Sequence, residues 1–171
     1  GLTLVLTHVG DYTQAAEAAG LMLREAHAAD LPLLVGWSHA ILGRVHYERN
    51  ELEAALAHFS AVTERRYVVN RGCAYEGFTG RMLVAAARGD EAALIQAGDE
   101  WRQFEESLWG FPGPLYHSVQ ARAALLIGDT PAALRWARTF TNPLPAAPMI
   151  WLEASHITKI RCLLAGGNAV D

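Results

Sequence analysis

Leu125-Leu126-Ile127-Gly128-Asp129-Thr130-Pro131-Ala132-Ala133-Leu134 decides the fold. An apolar run stops at glycine, which takes the left-handed C-terminal position of a helix most readily. The polar side chain after it can accept from the free N–H groups that open a second helix. Thr130 places a capping hydroxyl before Pro131 at the first helical position, where a missing N–H does no harm. The same punctuation recurs as Gly10-Asp11, Asn50-Glu51, Gly89-Asp90, Gly128-Asp129 and Gly167-Asn168, at intervals of 40, 39, 39 and 39 residues. Such a period predicts an array of helical hairpins.

Columns read from each turn residue support two packed helices per repeat. Five positions after it stand Ala15, Ala55, Leu94 and Ala133, and twelve after it Met22, Val62, Trp101 and Phe140. Seven and four positions before it stand Gly43 and His46, Met82 and Ala85, Ala121 and Ala124, Ile160 and Leu163, small or apolar at helical spacing. The pattern predicts a partial helix over 2–9 and helices near 13–29, 33–49, 51–67, 71–88, 91–108, 114–127, 131–140 and 148–165, with no strand. Alanine-rich composition suits closely approaching helices. The connections Trp109-Gly-Phe-Pro-Gly-Pro114 and Thr141-Asn-Pro-Leu-Pro-Ala-Ala-Pro148 are proline-rich and cannot be helix interior.

Composition narrows the function classes. With 51% apolar and 19% charged residues over 171 positions, the chain can bury a core and carries too many charges to span a bilayer. Its net charge is -4 and it has no basic run to neutralise a phosphate backbone, so nucleic-acid contact by this segment is disfavoured. Cys73 and Cys162 are lone thiols without CxxC spacing, and no secretory signal precedes them, which points to a reducing cytoplasm. The array starts and stops within a repeat, so residues 1–171 are expected to be one repeat domain cut from a longer protein.

The stretch Leu42-Gly-Arg-Val-His-Tyr-Glu-Arg-Asn-Glu-Leu-Glu-Ala-Ala-Leu-Ala-His-Phe59 resembles a tetratricopeptide (TPR) repeat. Leu42-Gly43, Tyr47, Ala55, Phe59 and Val62 fall at that family's packing positions. Other copies depart from it: Arg81, Gln120 and Lys159 stand where Leu42 does, and the period exceeds the usual TPR length. The resemblance implies an all-α, right-handed superhelix of TPR-like helix-turn-helix repeats. Degenerate Arg- and Ala-rich arrays of this period resemble the helical sensor region of large bacterial ATP-dependent LuxR-type transcriptional regulators, the class of the maltose-regulon activator. That resemblance implies a non-catalytic effector-sensing and protein-interaction role, with self-association gated by the array. A P-loop ATPase would precede it and a DNA-binding domain would follow. The alternative is a stand-alone TPR-like adaptor for a peptide or protein partner.

Candidate binding residues follow from the column six before the turn, Arg44, Leu83, Arg122 and Arg161. It lies on the face of each first helix that would line a concave groove, together with Trp37, Tyr47, Glu48, Glu76, Thr79 and Ser118. Planar guanidinium donors beside fixed aromatic surface suit an acidic peptide, an anionic metabolite or a stacked sugar. The competing reading is a solvated face whose arginines pair with Glu48 and Glu76. His39, His117 and His156 share the column eleven before the turn with Phe78, on the packing stripe. Successive copies are about 10 Å apart, whereas zinc holds nitrogens at about 2.0–2.1 Å, so the column reads as packing.

No phosphate-binding, dinucleotide or nucleophile-elbow motif occurs, and neither a cofactor nor a catalytic residue is expected. Trp101 belongs to the core column, Trp109 and Phe111 are expected to cover a helix end, and Gly77 and Gly80 to permit close helix approach.

Overall fold

Periodic glycine or asparagine followed by a polar residue produces the turn that the sequence predicts. The computed structural model describes residues 10–142 and 151–167. The helix expected over 2–9, Asn168, and residues 143–148 of the second proline-rich connection lie outside the described residues. Within the described residues the chain is all-helical, with α1 Tyr12–Ala28, α2 Pro32–Glu48, α3 Leu52–Glu64, α4 Arg71–Ala87, α5 Glu91–Trp109, α6 Pro114–Leu126, α7 Thr130–Thr139 and α8 Ser155–Ala165, and no strand.

All five turn residues adopt left-handed backbone: φ is +80° at Gly10, +60° at Asn50, +66° at Gly89, +85° at Gly128 and +70° at Gly167. Asp30, between α1 and α2, joins them at +51°. At Gly128 the next N–H, that of Asp129, donates to Ala124 O at 2.8 Å, and Gly128 N donates to Leu125 O at 3.2 Å. The same pair of bonds closes α2 at Asn50 and α4 at Gly89. This pattern satisfies carbonyls that a helix end would otherwise leave open. Asp11, Asp90 and Asp129 each accept from the backbone N–H three residues on, as N-caps of α1, α5 and α7.

Four local expectations need correction. Asp129, not Thr130, caps α7, and the helix already includes Thr130, because the aspartate reaches Ala132 N at 3.0 Å. Glu51 makes no side-chain cap; its carboxylate bonds His46 instead. Helix α8 begins at Ser155 rather than 148, since Trp151–Ala154 are not helical. Helix α3 also ends at Glu64, where Arg65 N and Arg66 N tighten onto Val62 O and Thr63 O.

The chain divides into two compact units, Gly1–Val84 and Ala85–Asp171. In the first, α1 packs on α2 and α2 on α3. Buried Ala15, Ala19, Ile41, Val45, Ala55, Phe59, Val62, Phe78 and Leu83 make its core. Helix α2 buries residues on nearly its whole circumference, as a helix covered on several sides must. Phe59 fills a slot made by two glycines: a β-carbon on Gly43 would lie 2.8 Å from its ring and one on Gly80 2.3 Å from it. Gly77 makes a matching recess for Val62 at 2.8 Å. Both glycines that the sequence assigns to close packing therefore serve it.

In the second unit α6 contacts α5, α7 and α8, and α7 contacts α8. Trp101 is fully buried, as its column predicts, and meets Tyr116 edge-on with centroids 5.6 Å apart. Ala121, Ala133, Ala137 and Cys162 form the small-residue contact among α6, α7 and α8. The buried carboxylate of Glu105 accepts from Gly113 N at 2.7 Å and ties down the connection between α5 and α6. Trp109 and Phe111 are each more than half exposed beside Gly110, which closes α5 at φ +80°.

Ile160 also departs from its column. It is 45% exposed, whereas Met82 and Ala121 at the same repeat position are 2% and 4% exposed. Among the described residues no helix is long and apolar enough to cross a membrane.

Candidate functional site

The expected groove residues divide between the two units. In the first, Trp37, Arg44 and Glu48 occur at i, i+7 and i+11 of α2, one stripe of the helix, with Tyr47 beside Glu48. Trp37, Arg44 and Tyr47 are half-buried and Glu48 is exposed. Neighbouring α2 positions are consumed by the core, so this stripe is what the helix leaves accessible. Glu76, Thr79 and Leu83 on α4 are buried instead. They contribute interior rather than an open wall.

In the second unit Arg122 is committed to its own chain. Its Nη1 donates to Leu152 O at 2.8 Å and to Glu153 Oε2 at 3.2 Å. Ser118 Oγ donates to the other oxygen, Glu153 Oε1, at 2.6 Å. The Glu153 side chain is 1% exposed and that of Arg122 15%. Charges removed this far from water persist only when paired and hydrogen-bonded, and this carboxylate has both kinds of partner. The three residues pin the non-helical stretch before α8 to α6. Arg161, by contrast, stands exposed on α8.

Thus Arg122 and Ser118 come together on Glu153, a residue that the sequence pattern does not reveal. It sits in an irregular connection, where neither helical period nor repeat register assigns a partner. Arg122 shares a repeat column with Arg44 and Arg161, but its burial against Glu153 sets its chemistry apart.

The histidine column is equally uneven. His117 is exposed against the edge of Tyr116, and His156 meets Phe140 edge-on while bonding Asn142 O at 3.2 Å. His39 is half-buried and its Nδ1 lies 2.9 Å from Nδ1 of His58 on α3. His58 is stacked on His46, the rings 5.3 Å apart and 7° from parallel, and His46 bonds Glu51. Burial, then Arg65 and His27, pushes the His39 pKa down against a smaller opposing pull from Glu64. Burial, then His39 and His46, lowers that of His58 to about 4. His58 belongs to no histidine column, so only the fold brings it to the other two.

Both cysteines are buried and free. Burial, with a further push from Glu76, raises the Cys73 thiol to about 12, and burial raises that of Cys162 as well. Thiolate is the reactive form, so these positions are set against nucleophilic chemistry. Among the described residues no group of three or more His, Cys, Asp or Glu side chains is arranged to hold a metal ion.

The chain matches no protein-family model, no curated protein and no solved structure.

Proposed function

We propose that this chain is an effector-sensing and protein-interaction segment, a right-handed superhelix of TPR-like hairpins from a bacterial ATP-dependent LuxR-type transcriptional regulator. The observation that carries the reading is the set of five left-handed residues spaced 39 to 40 apart, of which Asn50, Gly89 and Gly128 each join two described helices. Repeated hairpins of this kind expose long helix faces for binding. On α2 that face offers an aromatic surface at Trp37 and Tyr47 and a guanidinium at Arg44, a combination suited to an anionic effector or an acidic peptide.

The role is non-catalytic and cytoplasmic. The ion pair of Arg122 and Glu153 supports this reading because both groups are occupied in holding segments together. Arg44 and Arg161 are the ligand-facing members of the arginine column. Binding shifts the parent protein between resting and self-associating forms only if the effector prefers one of them.

Determining the coding sequence on both sides of the segment tests the proposal. A P-loop ATPase upstream and a helix-turn-helix module downstream are the expected result. Flanks holding only further hairpins would overturn it in favour of a stand-alone adaptor for a peptide or protein.

A further inference from the structure

Three imidazoles and a carboxylate meet where α2, its turn and α3 adjoin, a cluster that the proposed binding role does not use. We infer that His39, His58 and His46, with Glu51, form a proton-operated clasp between α2 and α3, closed near neutral pH and opened by acid.

The chemistry follows from the shared contact. A bond from Nδ1 to Nδ1 needs an N–H on one ring and a lone pair on the other, and at 2.9 Å the His39 and His58 rings make that bond while both are neutral. One added proton can reside on the donor ring and leave the acceptor lone pair in place. A second fills that lone pair, so two N–H groups and two positive charges face each other and the bond is lost. His46 lies stacked against His58, where a charge on it repels one on His58.

The surrounding charges come from every helix packed there. His27 on α1 and Arg65 at the end of α3 disfavour a proton on His39, and Glu64 on α3 opposes them more weakly. Glu51, in the turn, holds Nδ1 of His46. His39 and His46 act on His58 in the same sense as its burial. The folded cluster therefore resists protons that an unfolded histidine would accept from about pH 6.5 downward. Between that pH and about 4, where His58 titrates in the fold, the open form binds more protons than the closed one. Stability of the clasp consequently falls as pH falls. Release is transmitted through the chain itself, because His58 precedes Phe59, whose ring fills the slot between Gly43 and Gly80.

The test uses the 171-residue protein, with ring-nitrogen NMR titration of the histidines and amide exchange across Leu52–Glu64. His58 is expected to titrate well below an ordinary histidine and in concert with His39. After correction for intrinsic exchange, opening of α3 should increase by about tenfold per pH unit for each proton taken up. His58→Gln, which cannot titrate, should flatten that dependence, and exposed His117→Gln should not. Independent titration of His39 and His58 near the ordinary value in the native protein would overturn the inference, whether or not His58→Gln folds. So would an unchanged pH dependence in both His58→Gln and His39→Gln.

Discussion

A β-carbon on Gly80 would lie 2.3 Å from the ring of Phe59, well inside any tolerated contact. Helix α4 can approach α3 this closely only because the position carries hydrogen. Gly80→Ala therefore has to displace a fully buried aromatic ring or the helix itself. An overpacking cost of about 1–3 kcal/mol is expected despite the better helix propensity of alanine. Phe59→Leu in the same chain should recover part of it, since a smaller side chain vacates the slot. Gly20 on α1 makes the contrast, because its β-carbon would meet only Arg24 Nη1, at 3.8 Å. Gly20→Ala is expected to stabilise by about 0.5–1 kcal/mol. Urea unfolding of the three variants decides the matter, and a stabilising Gly80→Ala would show that the two helices are not in contact here.

Arg122 and Glu153 should be far more sensitive singly than together. Glu153→Leu leaves the guanidinium largely buried without its carboxylate, and Arg122→Met strands a buried carboxylate. Breaking a buried pair on one side costs about 3–5 kcal/mol, whereas replacing both members by apolar residues of similar volume is often close to neutral. The double variant Arg122→Met, Glu153→Leu is therefore expected to be more stable than either single variant. Additive losses in a double-mutant cycle would mean that the two groups do not depend on each other.

The turns were legible because their requirement is local: a left-handed residue is needed whatever surrounds it, and beside Gly10, Gly89 and Gly128 an aspartate caps the helix that follows. Asn50, Gly89 and Gly128 accordingly mark turns between helices in the sequence as they do in the structure, and Gly10 and Gly167 share their left-handed backbone. Core columns were legible for the same reason wherever a helix is covered, and they failed at Ile160, whose exposure depends on what lies against α8. The candidate site was less readable. Arg44, Arg122 and Arg161 occupy one register, yet only long-range packing sets Arg122 against Glu153, 31 residues away in the chain. His58 reaches His39 across 19 residues in the same way.

Aspartate caps at the hairpin turns give a graded expectation. Asp90→Ala and Asp129→Ala each remove an acceptor placed 3.0 Å from a helix-opening N–H, and should cost about 0.5–2 kcal/mol. Asp90→Asn and Asp129→Asn retain an acceptor oxygen and should recover most of the loss. Glu51→Ala removes no cap, because α3 opens without one, so any effect must come through His46. Circular-dichroism melts that rank Glu51→Ala with the aspartate variants at every pH would contradict this separation.

Cys73 supplies a pH dependence of opposite sign to that of the histidines. Its thiol titrates near 12 in the fold, above the ordinary 9.0, because burial and then Glu76 disfavour the thiolate. The unfolded chain gives up this proton first as pH rises, so the closed form binds more protons between those values and loses stability with increasing pH. At pH 8 the folded thiol is almost wholly protonated and shielded, and a disulfide reagent must wait for opening. Labelling of Cys73 is therefore expected to be slow, to accelerate in mild urea and to track unfolding of the first unit. Prompt reaction in native buffer, followed site by site with Cys162→Ala, would place the thiol at the surface instead of in the contact with Gly36, whose β-carbon would lie 3.1 Å from its sulfur.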